Sequence, residues 1–238
     1  RQASEVRIAI LSKFLPISFL SMIRCKSAKH FKPGSHRYGK TLIMGIVFEN
    51  LDKLTRGKKS DQVMQSLNEF YAKCKTIINT HDGFVHRYEG TTFLAVFTNE
   101  QKGVTAASEI QSSLVHTEKC HIVMHACTTL SGIMGDEENM LPALISDEID
   151  VLKKLSMLCR AGEQVVLTRE VLESLKKNFE KNVTFVGQVE MNGTYTDAYQ
   201  LVENAEHISA RRRFGIAIKK MVTNDYLGAL DLLETIES

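Results

Sequence analysis

Two segments within Leu42–Phe97 decide the fold: IMGIVFENLDKLT at Ile43–Thr55 and FVHRYEGTTFLAVF at Phe84–Phe97. The first is an apolar run that ends in polar residues, which predicts a strand and a turn, and the second predicts two strands that meet at Glu89-Gly90-Thr91. Ser60–Thr80 lies between them and has apolar residues at helical spacing. These residues are Val63, Leu67, Phe70, Cys74, Ile77 and Ile78. A strand, a helix and a hairpin in this order predict the first half of a ferredoxin-like βαββαβ unit.

The chain after the hairpin continues this alternation of helices and strands. Gly103–His116 predicts a second amphipathic helix, and His121–Leu130 predicts the next strand. The Asn-Gly pair in Met191-Asn192-Gly193 predicts the turn of a closing hairpin. The other predicted elements are a helix at Glu148–Cys159, a strand at Gln164–Leu167, a helix at Arg169–Asn178 capped by Thr168, and the hairpin strands Val183–Glu190 and Thr194–Val202. The sequence therefore predicts an α/β fold, an α+β sandwich with flanking helices.

Helical segments are predicted on both sides of this central region. Val6–Ile23 has helical apolar spacing that Pro16 interrupts, which predicts one helix to about Lys13 and a second from near Pro16. Residues 204–238 predict an antiparallel helix pair of the tetratricopeptide type. Because roughly three or more such repeats are needed for an independent solenoid, we expect this pair to pack on the domain or on further chain. The predicted organisation is a helical lead-in and linker at 1–39, a central domain at 40–203 and the helix pair at 204–238.

The composition argues against several classes of partner. Among 238 residues, 43% are apolar and 24% are charged, which is typical of a soluble globular protein. Thirty basic and 28 acidic residues give a net charge of +2, so we expect no nucleic-acid partner and no membrane contact from this chain itself. No apolar run approaches the roughly 20 residues that span a bilayer.

The cysteines and the first residue bear on where the protein works. Five cysteines show no C-x-x-C spacing, and an odd number does not suggest a disulfide framework, so we predict a reducing, cytoplasmic compartment. The chain begins at Arg1 rather than at a methionine. We therefore expect a longer protein, in which other segments could supply a tether or a sensor.

The two opening segments also resemble the catalytic domain of class III adenylate/guanylate cyclases. That family has F-A-D-I-x-G-F-T at the end of its first strand, matched here by Phe48–Thr55. It has K-x-I-G-D-G/A-x-M-A-V-F across its hairpin, matched by Arg87–Phe97. Further similar positions are His121–Cys127 (R-I-G-I-H-T-G in the family), Gly132, Gly135 and the F-x-P element at Phe14–Leu20, which is similar to one that precedes many bacterial cyclase domains. The resemblance covers roughly residues 40–203 and implies a nucleotide cyclase-homology domain there.

Both metal-binding aspartates of that family are replaced here, by Asn50 and Thr91. The family uses them to hold two Mg²⁺ or Mn²⁺ ions, which clamp the phosphates of ATP or GTP and lower the pKa of the attacking 3′-hydroxyl. Hard cations prefer anionic oxygens, whereas Asn and Thr offer a neutral carbonyl and hydroxyl. The resemblance therefore implies no metal cofactor, with Mg²⁺ or Mn²⁺ and a nucleotide entering only if residual binding survives. Asp52 and Glu89 lie two residues away and could form a shifted site, but solvated turn acids are the favoured interpretation.

The other positions of the family's site are neutral, reversed in charge or weakened. Arg87 stands where the family reads the base with Lys or Glu, and its residue type leaves open whether it keeps that role or is an exposed cation. Ala143 stands at a second base-reading position and cannot hydrogen-bond. Asp150 and Lys154 replace an Asn that orients the ribose and an Arg that stabilises the transition state, although their i,i+4 spacing also predicts a salt bridge. Asn192 replaces a phosphate-binding cation of the closing turn.

These substitutions predict a catalytically degenerate cyclase-homology domain, a pseudoenzyme that serves as a dimerisation, signalling or scaffold module. Because members of the family work as head-to-tail dimers, we expect a homodimer, or a heterodimer with another cyclase-like chain. Two alternatives stay open: one half of a heterodimeric adenylate/guanylate cyclase, which Arg87 and Lys154 suit, and a nucleotide sensor without turnover. Ala143, Asp150 and Asn192 argue against the half-enzyme.

Overall fold

A computed structural model describes residues 17–24, 32–48, 56–57, 59–89, 92–114, 120–136, 139–159, 164–175, 183–202 and 208–237. The strands in this part of the chain are β1 (His36–Phe48), β2 (Phe84–Glu89), β3 (Thr92–Phe97), β4 (Cys120–Gly135), β5 (Met140–Ile145), β6 (Gln164–Thr168), β7 (Val183–Met191) and β8 (Thr194–Leu201). The helices are α1 (Ile17–Met22), α2 (Ser60–Thr80), α3 (Glu100–Leu114), α4 (Val151–Leu158), α5 (Arg169–Ser174), α6 (Ile208–Val222) and α7 (Tyr226–Glu237). The helix predicted to end at Lys13 lies outside the described residues, as do Asn50 and Thr91.

The predicted βαββαβ unit is present. In chain order β1, α2, β2, β3, α3 and β4 alternate as predicted, and the strands lie side by side in the order β2-β3-β1-β4. The sheet continues through β6 and β8 to β7, and β5 pairs with β4 off this path. The β4–β6 pair is parallel and all other described pairs are antiparallel. The predicted α/β class is therefore confirmed.

Strand β1 is buried on both faces, which explains its nearly continuous apolar run. Alternate residues of a strand point to opposite faces. Leu42, Met44 and Ile46 belong to the core on the face covered by α2, α3 and α5. Ile43 belongs to the opposite core, which α1 and α4 cover. β1 also pairs along its length with β3 on one side and β4 on the other, so it is the centre of the βαββαβ unit.

Several element bounds differ from the sequence-based expectation. β4 continues beyond Leu130 to Gly135, because its polar residues are buried and satisfied there: the Thr129 hydroxyl lies 3.1 Å from that of Thr41 and 3.3 Å from that of Ser131. β5 was not predicted, since Pro142 interrupts its strand pattern, yet it pairs with β4 as an edge strand. The other differences are that β1 begins at His36, α4 begins at Val151 after turns at 147–150, and α5 ends at Ser174.

The two C-terminal helices form the predicted antiparallel pair, and α6 packs against β7. Gly215 makes this approach possible, because a Cβ there would lie 2.5 Å from Thr184 Cγ2 and 2.8 Å from the Phe185 carbonyl oxygen. Ala217 and Ala229 are buried in the same region. No helix in the described parts of the chain is both long and apolar enough to cross a bilayer. The division at residues 39 and 203 stays a prediction.

A buried carboxylate holds α5, β7 and β8 together. Asp197 is only 5% exposed and accepts hydrogen bonds from Arg169 Nη2, Gln188 Nε2 (2.7 Å) and the Tyr199 hydroxyl (3.1 Å). Lys219 of α6 lies 3.8 Å from it. Burial alone would raise the pKa of Asp197, but the hydrogen bonds from Gln188 and Arg169 outweigh burial and lower it.

We expect Asp197→Asn to lower the free energy of unfolding by about 2 kcal/mol at neutral pH, because the charge that these donors require is removed. A carboxyl with a depressed pKa stabilises the fold above its unfolded pKa of about 4 and loses that effect as the pH falls through the folded value. The difference between the variant and the wild type should therefore shrink in acid. Urea unfolding measured across this pH range tests it, with Glu69→Gln on the exposed side of α2 as the control. Equal effects of the two substitutions would contradict the assignment.

Candidate functional site

The structure brings two of the predicted site residues, Arg87 and Ala143, to one cavity. The cavity has a volume of about 440 Å³ and lies between β2 and the β4–β5 pair. Its lining residues are His86, Arg87, Met134, Gly135, Asn139, Leu141, Pro142, Ala143, Leu144 and Ile145. Most of this lining is apolar. The structure therefore places Arg87 and Ala143 together, and a base-reading role for either residue stays a prediction.

Arg87 supplies the positive charge of this cavity, and a carboxylate already neutralises it. Its Nε donates to Glu89 Oε1 at 2.7 Å, and both side chains are about half exposed. The neighbouring His86 has a buried Nδ1 without a hydrogen-bond partner in the described part of the protein. Burial, followed by the charge of Arg87, lowers the pKa of His86 to about 4, so His86 is neutral at pH 7. The carboxylate of Glu89 therefore weakens the attraction of Arg87 for an anionic ligand, although the other N–H groups of the guanidinium are not bonded to Glu89.

Ala143 places a methyl group where the resembled family reads a base with a polar side chain. It lies on β5 opposite Gly132 of β4. The nearby lining residues Met134, Leu141 and Ile145 are also apolar. These four side chains cannot distinguish one purine from another by hydrogen bonding, which leaves His86, Arg87 and Asn139 as the polar side chains of the lining.

Lys154 and Asn192 form a second group, at the tip of the β7–β8 hairpin. The Lys154 ammonium donates to the Glu190 carbonyl oxygen at 2.7 Å and to the Glu190 carboxylate. Asn192 has a left-handed φ of 50°, which an Asn-Gly turn requires, and its Nδ2 donates to Asp147 Oδ2 at 3.2 Å. These hydrogen bonds connect the tip of the β7–β8 hairpin to α4 and to the turn that precedes it. No hydrogen bond or ion pair among the described residues joins this group to Arg87 or Ala143.

The predicted salt bridge between Asp150 and Lys154 is wrong. Asp150 lies before the first residue of α4 and pairs instead with Lys153, at 3.4 Å between Oδ1 and Nζ. Lys154 is on the side of α4 that faces β7, so Glu190 is its partner. This hydrogen bond from Lys154, followed by one from the Gly193 N–H, lowers the pKa of Glu190. Lys154, to which the resemblance gives the transition-state position, is therefore engaged by a carboxylate.

The residues present do not fit a pair of divalent cations. Asn50 and Thr91 lie outside the described residues, and their neutral oxygens lack the charge that Mg²⁺ or Mn²⁺ selects. Across the described ranges, no group of three or more His, Cys, Asp or Glu side chains is placed to hold a metal ion.

His125 belongs to a buried polar cluster that the sequence did not predict. Its side chain is fully buried on β4, where Nε2 lies 2.8 Å from Glu148 Oε2 and Nδ1 lies 2.9 Å from the Thr168 hydroxyl. Glu170 Oε2 is 3.7 Å from the same Nδ1. This cluster ties β4 to the segment before α4 and to the β6–α5 junction. The partners are 23 and 43 residues away in sequence, so spacing gave no signal for them.

We expect Lys154→Met to raise the pKa of Glu190 toward its ordinary value, because the ammonium that stabilises the carboxylate is lost. The hydrogen bond from Gly193 should keep part of the depression. An NMR titration of the Glu190 carboxyl carbon measures the change. Lys153→Met is the matched control, since Lys153 pairs with Asp150 rather than Glu190. A shift of the same size in both variants, or no shift in either, would show that Lys154 is not the controlling partner.

Comparison with known proteins gives a low-identity relative and a clear set of structural neighbours. No protein-family model matches the chain. The terminal-differentiation specific adenylate cyclase of Dictyostelium discoideum is 19% identical over an alignment of 240 residues, which covers 94% of this chain but 11% of that protein. The chain thus spans about a tenth of the length of this curated relative.

The similar solved structures are adenylyl and guanylyl cyclases. A bacterial light-regulated adenylyl cyclase matches with a TM-score of 0.71 and 18% identity, over 89% of this chain and 67% of that one. The guanylate cyclase domain of RhGC from Catenaria anguillulae, in complex with GTP, matches with a TM-score of 0.62 and 14% identity, over 71% of this chain and 99% of that one. The non-canonical dimeric guanylyl cyclase domain of the RhoGC fusion protein from Blastocladiella emersonii matches with a TM-score of 0.59 and 10% identity, over 69% of this chain and 97% of that one. The chain therefore has the fold of class III adenylyl and guanylyl cyclase catalytic domains, and the resemblance found in its sequence is confirmed.

Proposed function

We propose that this chain is a catalytically degenerate class III cyclase homology domain, which acts in signalling as a dimerisation or scaffold module. Its partner in this proposal is a second copy of the chain. Two lines of argument support this: the electrostatics of the former site, and an exposed apolar surface next to it. The free thiols of Cys74, Cys120, Cys127 and Cys159 are consistent with a protein that functions in a reducing compartment.

The electrostatic argument concerns a ligand with three or four negative charges and two metal ions. Neutral Asn50 and Thr91 cannot supply the anionic ligands for those ions. Glu190 neutralises Lys154 and Glu89 neutralises Arg87. Asp147 is bound to the hairpin turn through Asn192, so another carboxylate lies where the family has a phosphate-binding cation. The electrostatic potential of the site therefore disfavours binding of a polyphosphate, which a catalytic cyclase site must attract.

The observation that carries the proposal is an exposed apolar face on β1, β4 and β5. The strand register puts Tyr38, Leu130 and Ile145 side by side, and it puts Met134 opposite Leu141. The exposed fractions are 67% for Tyr38, 49% for Ile145, 54% for Met134 and 68% for Leu141. We call these five residues and Ala143 the β5 face. Contiguous exposed apolar surface of this kind marks an interaction site.

The shape of the β5 face favours docking of a folded surface over addition of a strand. Two cavities border the β5 face. One is the 440 Å³ cavity described above, and the other has a volume of about 300 Å³ and is lined by Leu130, Met134 and Ile145 among others. Leu141 lines the larger cavity and is highly exposed, so the face has a protruding side chain as well as cavities. Pro142 lacks an N–H, which weakens strand pairing at the free edge of β5. A second copy offers the same protruding side chain and cavities, as an isologous dimer requires.

We expect Met134→Glu combined with Leu141→Glu to weaken dimerisation at least about tenfold, because two buried contacts would have to accommodate charge. Sedimentation velocity over a range of concentrations measures the dissociation constant. Met157→Glu is the matched control, since Met157 is 77% exposed on α4, away from this face. A wild-type chain that stays monomeric at high micromolar concentration would overturn the dimer proposal. So would an equal loss in the control.

We also expect the wild-type chain to form no cyclic AMP or cyclic GMP from ATP or GTP with excess Mn²⁺. Calorimetric titration with a non-hydrolysable ATP analogue, and then with GTP, should give no heat at millimolar ligand. The cavity that joins Arg87 and Ala143 favours the second candidate, a nucleotide sensor, and micromolar binding without turnover would establish that candidate instead. Turnover that appears only on mixing with an intact cyclase domain would show that this chain is one half of a heterodimeric enzyme.

A further inference from the structure

Helix α7 presents an apolar side that nothing in the described part of the chain covers. Among the described elements, α7 packs extensively only on α6, and Ala229 is buried on its inner side. Tyr226, Leu227 and Leu230 are 62%, 79% and 53% exposed. Their spacing of three and four residues places them on one side of the helix. An exposed stripe of this kind needs a partner of defined chemistry.

The charges next to this stripe indicate what that partner is. Asp231 and Glu234 follow Leu227 and Leu230 by one helical turn, and both are exposed. α7 contains no Lys, Arg or His. A helix that covers this side must therefore be apolar near the α6–α7 turn and basic farther from it.

Helix α6 of the same chain has this pattern. It contains five basic residues and no acidic residue. Ile216 is 52% exposed, and Arg212 lies one turn farther from the α6–α7 turn on the same side. The cations nearer the turn are already engaged: Lys219 lies 3.8 Å from Asp197, and Lys220 pairs with Asp225 at 2.5 Å. The pairing proposed below uses Arg211 and Arg212, which are exposed at the far end of α6.

The order of apolar and charged positions along the two helices is the same, and their levels differ by about 3 Å: Glu234 lies about 12 Å from Tyr226 and Arg212 about 15 Å from Val222. At a rise of about 1.5 Å per residue, Leu230 lies about 6 Å along α7 from Tyr226, and Ile216 lies about 9 Å along α6 from Val222. Beyond these apolar residues, α7 continues with acidic side chains and α6 with basic ones. The α6–α7 turns of two parallel hairpins would therefore lie at the same level, with apolar contacts near the turn and ion pairs farther away.

We propose that α7 docks on α6 of a second copy, so that the C-terminal helix pairs stack side by side. The contact joins two different surfaces and is heterologous, so it can extend association beyond two chains. It uses no residue of the β5 face. It is therefore independent of the proposed dimer and of the loss of catalysis.

The first test uses the full chain carrying Met134→Glu and Leu141→Glu, which removes the β5 face. Sedimentation velocity should show concentration-dependent association that weakens as salt is raised, because ion pairs contribute to the contact. Adding Leu227→Glu and Leu230→Glu should reduce the association constant at least about tenfold. Met64→Glu, at a residue 57% exposed on α2, is the matched control, and circular dichroism checks that each variant is folded. A single monomeric species at all concentrations would overturn the stacking proposal.

A charge reversal tests the pairing of the two helices directly. Both charge-reversed variants are made in the chain that carries Met134→Glu and Leu141→Glu, so that the β5 face does not contribute. Arg211→Glu/Arg212→Glu makes both exposed helix faces acidic, and Asp231→Lys/Glu234→Lys makes both basic, so each variant alone should fail to associate. An equimolar mixture should associate again, because every contact then joins an acidic face to a basic one. Variants that associate as the wild type does, or a mixture that stays monomeric, would overturn the proposal. Binding of the wild type to phosphatidylcholine vesicles that is lost in Leu227→Glu/Leu230→Glu, without self-association, would assign the stripe to a lipid surface instead.

Discussion

Burial of β1 on both faces is the constraint on which the rest of the structure depends. Leu42, Met44 and Ile46 need one apolar layer and Ile43 needs another, so helices must cover both sides of the sheet. The backbone N–H and C=O groups of β1 form hydrogen bonds with β3 on one edge and with β4 on the other, so β1 lies at the centre of the βαββαβ unit. These requirements follow from a short apolar run. They leave the ends of the strands, the hairpin tips and the β5 face free to vary without loss of the fold.

The candidate site lies in these places, and its charged and amide side chains are bonded within the fold. Lys154 and Asn192 attach the β7–β8 hairpin to the start of α4 through Glu190 and Asp147. Arg87 is held by Glu89 within the same strand. In a catalytic site, charged groups must stay available for the ligand, which costs stability because like charges or unpaired groups lie close together. Here each cation has an internal carboxylate partner, so local electrostatics favour the folded chain over a bound polyphosphate.

The sequence predicted the central fold because its signals are local. The period of apolar residues in β1 and α2, and the Asn-Gly turn, depend on neighbours within a few positions. The pairing of Lys154 with Glu190, at a separation of 36 residues, depends on which side of α4 faces β7, and no periodic signal reports that. The same holds for His125 and Glu148. β5 was missed for a different reason, since Pro142 is read as a strand breaker and only its edge position makes it acceptable.

Ala143 belongs both to the candidate site and to the β5 face. A polar side chain at this position could hydrogen-bond a base, but in a dry contact between two chains it would need a partner or would cost free energy. Alanine removes that cost and continues the apolar face between Met134 and Ile145. The same argument applies to α7, where Leu227 and Leu230 stay exposed although no catalytic residue is near them. Both surfaces are more apolar than a monomer needs, and association is the physical process that exposed apolar area favours. The proposed assembly role therefore rests on the surfaces that this chain exposes as well as on the residues of its candidate site.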